Sequence, residues 1–299
     1  MRKIEPAAVV VLMFSALYIE DCLTGGSQMT QRKLFEIVLI ETRNTCTRKC
    51  WFCKFGQERQ DSEIREMDWD TIERVVFNLR DLDFAGRISW FWINEPLLDK
   101  RLFDILKFTR EQCPRAFLSI ITNGDLLNEK TQGKLFESGL DGLRISVYDD
   151  KTLAKMNELP RSDRVVMLDM RNPDSHLENR AGNILQNRDL FESDKLGRIK
   201  SFCARPFEQL VIDTQGQVVL CCADMYSDVV MGDATKDRLE DIWNNERFEQ
   251  YRNTLNESGR SGLKLCESCS YSGGSHAVRL PFDDSSNKHL VLQPAVDVK

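Results

Sequence analysis

Three cysteines lie close together in the stretch TCTRKCWFC, as Cys46, Cys50 and Cys53. Thiolate sulfur is a preferred ligand of zinc and of iron–sulfur clusters. A structural zinc ion takes four protein ligands, and the three histidines of the chain, at positions 176, 276 and 289, all lie far from this stretch. Three thiols around a [4Fe–4S] cluster leave one iron open. The spacing therefore favours a catalytic cluster, with structural zinc or packed core cysteines as alternatives.

A second set of cysteines lies in the last third of the chain and ends in a CxxC pair. Tight groups of this kind are typical of metal sites in a reducing compartment, so we expect a cytoplasmic protein. A zinc ribbon is the alternative to a second iron–sulfur site. Only three cysteines are left over, so a third cluster is not expected. The second set is Cys203, Cys221, Cys266 and Cys269, and the remainder are Cys22, Cys113 and Cys222.

The elements that must position the first group alternate between strands and helices. Apolar runs predict strands over 35–42, 86–93, 116–121, 143–148 and 165–170, and apolar stripes predict helices over 71–79, near 102–106 and over 128–138. This alternation indicates a parallel sheet covered by helices. Functional side chains gather at the carboxyl ends of such strands. We therefore expect Cys46, Glu95, Asn123 and Tyr148, which follow four of the strands, to line one pocket.

The two ends of the chain differ from this pattern. Residues 207–213 and 218–222 predict a hairpin around a glycine-containing turn, and residues 239–255 predict one helix before the CxxC pair. The apolar run at 7–19 is too short to span a bilayer, so it is expected to be a packed helix or an irregular extension. From residue 271 onward the chain is polar, and we expect an irregular tail.

Charge and composition narrow the partners. The 299 residues carry a net charge of −6, with a pI near 5.4 and no long basic run. This disfavours nucleic acid as a partner. A small-molecule substrate fits better, and no membrane partner is expected.

The CxxxCxΦC spacing, with Phe52 at the aromatic position, resembles the radical S-adenosylmethionine superfamily. The resemblance implies a partial (β/α)6 TIM-like barrel whose open iron binds the amino and carboxylate groups of S-adenosylmethionine. Reductive cleavage of that cofactor then releases a 5′-deoxyadenosyl radical, with electrons from a flavodoxin or ferredoxin-type donor. Residues 93–96 (INEP) resemble the Gly-Gly-Glu-Pro motif of the superfamily, with Asn94 in place of a glycine. The cofactor contacts implied are Phe52, Asn94, Glu95, Asn123 and Ser146.

The second cysteine set resembles the twitch domain, a shortened SPASM domain that holds one auxiliary [4Fe–4S] cluster on a β-hairpin and a helix. The implied total is two [4Fe–4S] clusters. The expected organisation is an extension at 1–33, a barrel core at 34–170, a connecting segment at 171–202, an auxiliary domain at 203–272 and an irregular tail at 273–299.

Short segments at 83–89, 95–98, 122–125, 179–180 and 231–243 resemble the 2-deoxy-scyllo-inosamine dehydrogenases of butirosin biosynthesis and their relatives. These enzymes abstract hydrogen from a carbinol carbon of a sugar-like ring, and Arg180 matches an arginine near their substrate. Where they have an aromatic and then an acidic residue after the hairpin cysteine, this chain has Cys222 and Ala223. The change argues against the same substrate. It also allows Cys222 to return a hydrogen atom, which would give epimerisation in place of oxidation.

Two other functions stay open at this stage. A SPASM-type peptide maturase often carries an amino-terminal peptide-recognition domain, for which the 45 residues before Cys46 leave no room. A non-catalytic iron–sulfur protein would not need the intact three-cysteine motif together with Phe52 and Glu95. The sequence therefore favours an enzyme that oxidises or epimerises a sugar, an aminocyclitol or a related natural-product intermediate.

Overall fold

The computed structural model describes residues 33–56, 63–160, 162–172, 178–184, 202–274 and 292. The expected extension at 1–33, most of the connecting segment at 171–202 and nearly all of the tail lie outside the described residues, as does Cys22. Contacts separate Met1–Lys33 from one compact unit, Leu34–Lys299, which contains all the elements that follow. In the described part of the chain, no helix has the length and apolar character needed to cross a membrane.

One eight-stranded sheet forms the centre of the compact unit, in the order β5-β4-β3-β2-β1-β6-β7-β8. Neighbours among β1 to β6 are parallel, and β7 and β8 are antiparallel. This confirms the predicted α/β class with a barrel-type parallel core and a C-terminal hairpin. The strands are β1 (Ile37–Ile40), β2 (Arg87–Ser89), β3 (Phe117–Thr122), β4 (Gly142–Val147), β5 (Val165–Asp169), β6 (Gln209–Ile212), β7 (Gln217–Val219) and β8 (Val230–Asp233).

The helices follow the strands and begin at capped positions. They are α1 (Trp69–Asp81), α2 (Leu102–Gln112), α3 (Glu129–Glu137), α4 (Asp150–Asn157), α5 (Arg205–Glu208), α6 (Leu239–Trp243) and α7 (Glu246–Glu257). Side-chain oxygens of Asp68, Asn128, Asp149 and Asn245 accept backbone N–H groups at the starts of α1, α3, α4 and α7. Each cap satisfies a donor that the first helical turn leaves without a partner.

The single helix predicted over 239–255 is wrong, because two helices occupy this stretch. The chain turns between α6 and α7, and Asn245 caps the second helix by accepting the N–H of Phe248 at 2.9 Å. The Asn245 Nδ2 group also donates to Met231 O at 2.7 Å, which ties the turn to β8. An asparagine is better suited to a cap than to a helix interior, so the local chemistry breaks the apolar stripe.

The two faces of the sheet have different surroundings. Val38, Ile88, Leu118 and Ile145 belong to the main core, which the helices cover. The alternate residues on β1 and β6, with Trp92, form a separate small apolar cluster of Ile37, Leu39, Trp92, Val211 and Val219. On that second face β2 and β3 carry hydroxyls, and the oxygens of Ser89 and Ser119 lie 2.7 Å apart. A polar inner face is what a binding barrel needs.

The C-terminal hairpin continues the main sheet without a break. β6 pairs in parallel with β1 along its whole length, so the sixth parallel strand comes from within the segment predicted at 203–272. The indole of Trp92, just beyond β2, donates to Cys222 O at 2.9 Å. The auxiliary unit therefore shares the sheet with the barrel core, and the predicted boundary at residue 203 stays a prediction.

Candidate active site

A cavity of about 330 Å³ lies at the carboxyl-end side of the parallel strands. Residues from β1 to β6, from the loops that follow the first four strands and from the segment 178–184 line it. It gathers every predicted residue of the first site, together with the predicted substrate residues. Those residues are Cys46, Cys50, Phe52, Cys53, Asn94, Glu95, Asn123, Ser146, Arg180 and Cys222.

The cysteine loop wraps around its own backbone. The N–H of Cys53 donates to Cys50 O at 3.0 Å, and the N–H of Gly56 donates to Cys53 O at 2.9 Å. A Cβ atom at Gly56 would lie 2.1 Å from Cys50 O, so only glycine fits at that turn. The loop thus folds the three thiols into a tight arc that begins just after β1.

The electrostatics of the three thiols suit a cationic metal cluster. Burial raises the pKa of Cys46 to about 11 and that of Cys50 to about 12, and the nearby thiolates raise both further. Thiols that oppose one another's ionisation become good ligands once a cation offsets the shared negative charge. The donor set and its enclosure therefore fit an iron–sulfur cluster at this position.

Arg48 fixes the cysteine loop to the strands next to it. Its Nε donates to both carboxylate oxygens of Asp125, at 3.1 and 3.0 Å, and its Nη1 reaches Asp149 at 2.8 Å. Its Nη2 also donates to Thr152 Oγ1 at 2.8 Å, and the guanidinium lies 5.4 Å from the centre of the Tyr148 ring. One side chain therefore ties the three-cysteine loop to the ends of β3 and β4. No motif in the sequence pointed to this role.

Replacing Arg48 by glutamine should lower the free energy of unfolding by about 2 kcal/mol, since hydrogen bonds to charged groups contribute about 1.5–3 kcal/mol each. Arg171→Gln is the matched control, because Arg171 also pairs with two aspartates, Asp169 and Asp150, but at an exposed site. Exposed ion pairs contribute little, so the control should change stability far less. Urea unfolding of both variants measures this. Equal losses would contradict an anchoring role for Arg48.

Glu95 is buried and joins three elements. Its Oε1 accepts from Leu97 N at 3.1 Å and from Thr122 Oγ1 at 2.8 Å, and its Oε2 accepts from Asn123 N at 2.8 Å. Those bonds favour the carboxylate, but burial outweighs them and raises its pKa to about 7. Glu95 N also donates to Thr45 O at 2.9 Å, which holds the residue against the cysteine loop.

Asn94 and Asn123 sit beside Glu95 with donors directed into the site. The Asn123 Nδ2 group lies 3.6 Å from Cys46 Sγ and donates to Thr47 Oγ1 at 2.9 Å. Asn94 Oδ1 accepts from Trp92 N at 3.1 Å, while its buried Nδ2 has no acceptor among the described residues. A buried amide donor at the cavity wall matches a ligand that brings a carboxylate or another acceptor.

Glu95→Gln should change how stability depends on pH. The folded pKa of Glu95 lies above its unfolded value of 4.5, so its favourable contribution is complete below pH 4.5 and is lost as pH rises through 7. Relative to the glutamine variant, the wild type should lose about 3 kcal/mol over that range. Urea unfolding of cluster-free protein at pH 5 and pH 8 measures the difference. A gap that does not change with pH would contradict the raised pKa.

Phe52 and Ser146 occupy the side of the cavity formed by β4. The Phe52 ring is buried and lies 5.8 Å from the centre of the Tyr148 ring. Ser146 is buried too, and its hydroxyl is hydrogen-bonded to Tyr148, whose pKa burial raises well above its usual value. A neutral, apolar wall of this kind excludes water from the thiols next to it.

The second cysteine set converges away from the cavity lining. Burial raises the pKa of Cys266 to about 12, with smaller contributions from the thiolates of Cys203 and Cys269. Burial raises the pKa of Cys221 as well, and Cys266 and Cys269 add to that shift. Each of the four thiols therefore lies within electrostatic range of others in the set. Their shared enclosure fits a second cluster, as at the first site.

Cys222 points away from this group and lines the cavity. Its N–H donates to Gln209 Oε1 at 3.3 Å, and its carbonyl accepts the indole N–H of Trp92 at 2.9 Å. The adjacent residue Cys221 is buried with the second set. The pair therefore places one thiol toward each site.

The segment 178–184 links the cavity to the CxxC turn. Asn179 N donates to Ser270 Oγ at 2.8 Å, and Ser268 Oγ donates to Ala181 O at 3.1 Å. Arg180 and Ala181 take left-handed backbone conformations, with φ of 49° and 56°. Such strain persists where surrounding contacts hold it, and here it presents Arg180 to the cavity. Two further charged residues that the sequence did not single out, Glu178 and Arg205, also line this wall.

Comparisons with known proteins agree with this geometry. The radical SAM superfamily profile matches residues 40–166, and the SPASM profile, an iron–sulfur cluster-binding domain, matches residues 203–270. The chain is 32% identical over 240 residues to the S-adenosyl-L-methionine-dependent 2-deoxy-scyllo-inosamine dehydrogenase of Niallia circulans, an alignment that covers 79% of this chain and 93% of the relative.

Two solved structures show the likeness in three dimensions. The crystal structure of BtrN in complex with AdoMet and 2-DOIA matches with a TM-score of 0.71 and 32% identity, over 81% of this chain and 95% of that one. The structure of anSMEcpe with bound AdoMet matches with a TM-score of 0.53 and 14% identity, over 85% and 96% of the two chains, which shows a shared fold alone.

Proposed function

The chain belongs to the radical SAM superfamily, and from this premise we propose that it oxidises a secondary alcohol carbon of a cyclitol or a related sugar-like ring. As a member, it is an enzyme that uses S-adenosylmethionine and iron–sulfur clusters. The observation that carries the proposal is the placement of Cys221 and Cys222: one thiol belongs to the second set and its neighbour lines the cavity that holds the first. The substrate position is therefore next to both thiol sets, as an oxidation with an electron acceptor requires.

The proposed ligands follow from the two thiol groups. Cys46, Cys50 and Cys53 hold the cluster that binds S-adenosylmethionine, and the second set holds the auxiliary cluster, through Cys203, Cys221, Cys266 and Cys269. When bound, these groups supply a carbon radical that removes a hydrogen atom from the substrate and an acceptor for one electron. A flavodoxin or ferredoxin-type protein in the cytoplasm supplies the reducing electron.

The remaining residues bind and orient the reactants. The carboxylate of Glu95 and the donors of Asn94, Asn123 and Ser146 position the polar groups of S-adenosylmethionine, and Phe52 packs against it. Arg180 donates hydrogen bonds to the substrate oxygen, where negative charge develops during oxidation. These donors are held in place before the substrate arrives, because the backbone contacts of 178–184 fix Arg180.

Epimerisation is the second candidate, and one observation favours it. The Cys222 thiol lines the cavity and can donate a hydrogen atom to a carbon radical. Oxidation is preferred because the second thiol set is complete and adjacent to that cavity. A simple epimerisation would leave the ring at its original oxidation level.

Product mass decides between the two. Protein reconstituted anaerobically with iron and sulfide should be given S-adenosylmethionine, dithionite and a panel of cyclitols that includes 2-deoxy-scyllo-inosamine. We expect 5′-deoxyadenosine together with a product two hydrogens lighter than one panel member. A product of unchanged mass that carries one deuterium from deuterated water would establish epimerisation. Failure to form 5′-deoxyadenosine under any condition would instead support a non-catalytic iron–sulfur protein.

A further inference from the structure

An ion pair lies on the cavity wall beside the second thiol set. Arg205 Nη2 is 3.2 Å from Glu178 Oε2, and both residues line the cavity. The Arg205 guanidinium also lies 3.5 Å from the centre of the Tyr271 ring. Only 8% of the residue is exposed. The arginine is therefore enclosed between the cavity and the C-terminal end of the auxiliary unit.

The charge of Arg205 acts on the second thiol set. Burial would lower the pKa of this arginine, but Cys222, Glu178 and Cys221 together raise it well above its usual value. In return, Arg205 opposes the effect of burial on the pKa of Cys203 and of Cys221. Arg205 follows Cys203 by two residues, on the short helix α5 that leads into β6. Its position is therefore set by the same turn that presents one of the proposed ligands.

We propose that the Arg205–Glu178 pair sets how readily the auxiliary site accepts an electron, with the permanent positive charge of Arg205 stabilising the reduced form. This rests on the proposed function in one respect, the assignment of the second cysteine set as cluster ligands. A guanidinium keeps its charge at all working pH values, so its effect is constant. Coulomb interactions are strong at a buried site, and one added electron interacts favourably with Arg205 and unfavourably with Glu178.

The two partners therefore make opposite predictions. Removing the charge of Arg205 should make the auxiliary cluster harder to reduce, whereas removing the charge of Glu178 should make it easier to reduce. Loss of the ion pair as a purely structural contact would disturb the site in the same way from either side. The sign of the change separates the electrostatic role from the structural one.

The experiment is a redox titration followed by electron paramagnetic resonance. It uses full-length protein in which Cys46, Cys50 and Cys53 are replaced by alanine, so that only the auxiliary cluster remains. In this background Arg205→Gln should lower the reduction equilibrium constant at least tenfold, a shift of about 59 mV to more negative potential for one electron. Glu178→Gln should shift the potential in the positive direction. Arg205→Lys, which keeps the charge, should stay near the parent value.

Three results would overturn the inference. They are an unchanged potential in Arg205→Gln, shifts of the same sign in Arg205→Gln and Glu178→Gln, and a shift in Arg205→Lys as large as in Arg205→Gln. Iron content, measured for every variant, shows whether the cluster is intact, and the Glu178→Gln arm decides the question if Arg205→Gln cannot hold it. The titration needs neither substrate nor S-adenosylmethionine, so failure to oxidise an alcohol leaves it valid. A parent protein without any cluster would refute the ligand assignment, and the inference with it.

Discussion

Cys50→Ala abolishes the cleavage of S-adenosylmethionine, whereas Cys113→Ala leaves it intact: this is the largest effect that we expect from any single substitution. Cys50 lines the cavity with the two other thiols of its motif, and the fold offers no substitute ligand beside them among the described residues that line it. Loss of a supporting residue around a metal site already costs about 10–100-fold, so loss of a ligand must cost more. The yield of 5′-deoxyadenosine per chain measures the effect.

Cys113 is the matched control because it is a thiol of the same chain with a different setting. It is 3% exposed, belongs to the helix-covered core and points its Sγ toward Val76 O at 3.7 Å. Its removal creates a small cavity in the core and should cost about 1 kcal/mol of stability without reducing the yield. Comparable 5′-deoxyadenosine yields from Cys50→Ala and the wild type would show that the motif does not hold the cluster.

The sequence could predict this site because its chemistry is local. The spacing of Cys46, Cys50 and Cys53 is visible within eight residues, and the structure places all three on one cavity wall. Glu95 and Asn123 follow strands that run in parallel, so their meeting point follows from topology alone. The same two facts, motif spacing and strand order, were enough to predict the α/β class.

The contacts that hold the site could not be predicted, because they join distant parts of the chain. Arg48 binds aspartates 77 and 101 positions away, and only the folded sheet brings them together. The helix α4 was missed because its stripe is short, although Asp149 caps it by accepting from Thr152 N. Arg205 lies beside Cys203 in the sequence, but its pairing with Glu178 depends on how the segment 178–184 docks on the CxxC turn.

Cys222 separates what makes the radical from what becomes of it. The cysteine loop is anchored to the barrel by Arg48, while the backbone of Cys222 is held by Trp92 and by Gln209. Its thiol is therefore fixed at the cavity without being needed to shape the first site. A substitution there can change the fate of a substrate radical while S-adenosylmethionine cleavage continues.

We expect Cys222→Ala to retain the oxidation of the substrate alcohol within about tenfold, which is about 1.4 kcal/mol in the activation barrier. If oxidation is the reaction, the product stays two hydrogens lighter and acquires no deuterium at carbon from deuterated water, in the variant as in the wild type. The measurement is mass spectrometry of the product, with the yield of 5′-deoxyadenosine as an internal standard for radical formation.

The opposite pattern has an equally clear meaning. If the wild type forms an epimer with one solvent deuterium and Cys222→Ala forms none, while both still cleave S-adenosylmethionine, then the thiol is the hydrogen donor and oxidation is the wrong reaction. Cys222→Ser refines the comparison, since a hydroxyl keeps the size and polarity of the side chain but holds its hydrogen atom far more strongly. Only hydrogen-atom donation predicts that serine fails as completely as alanine.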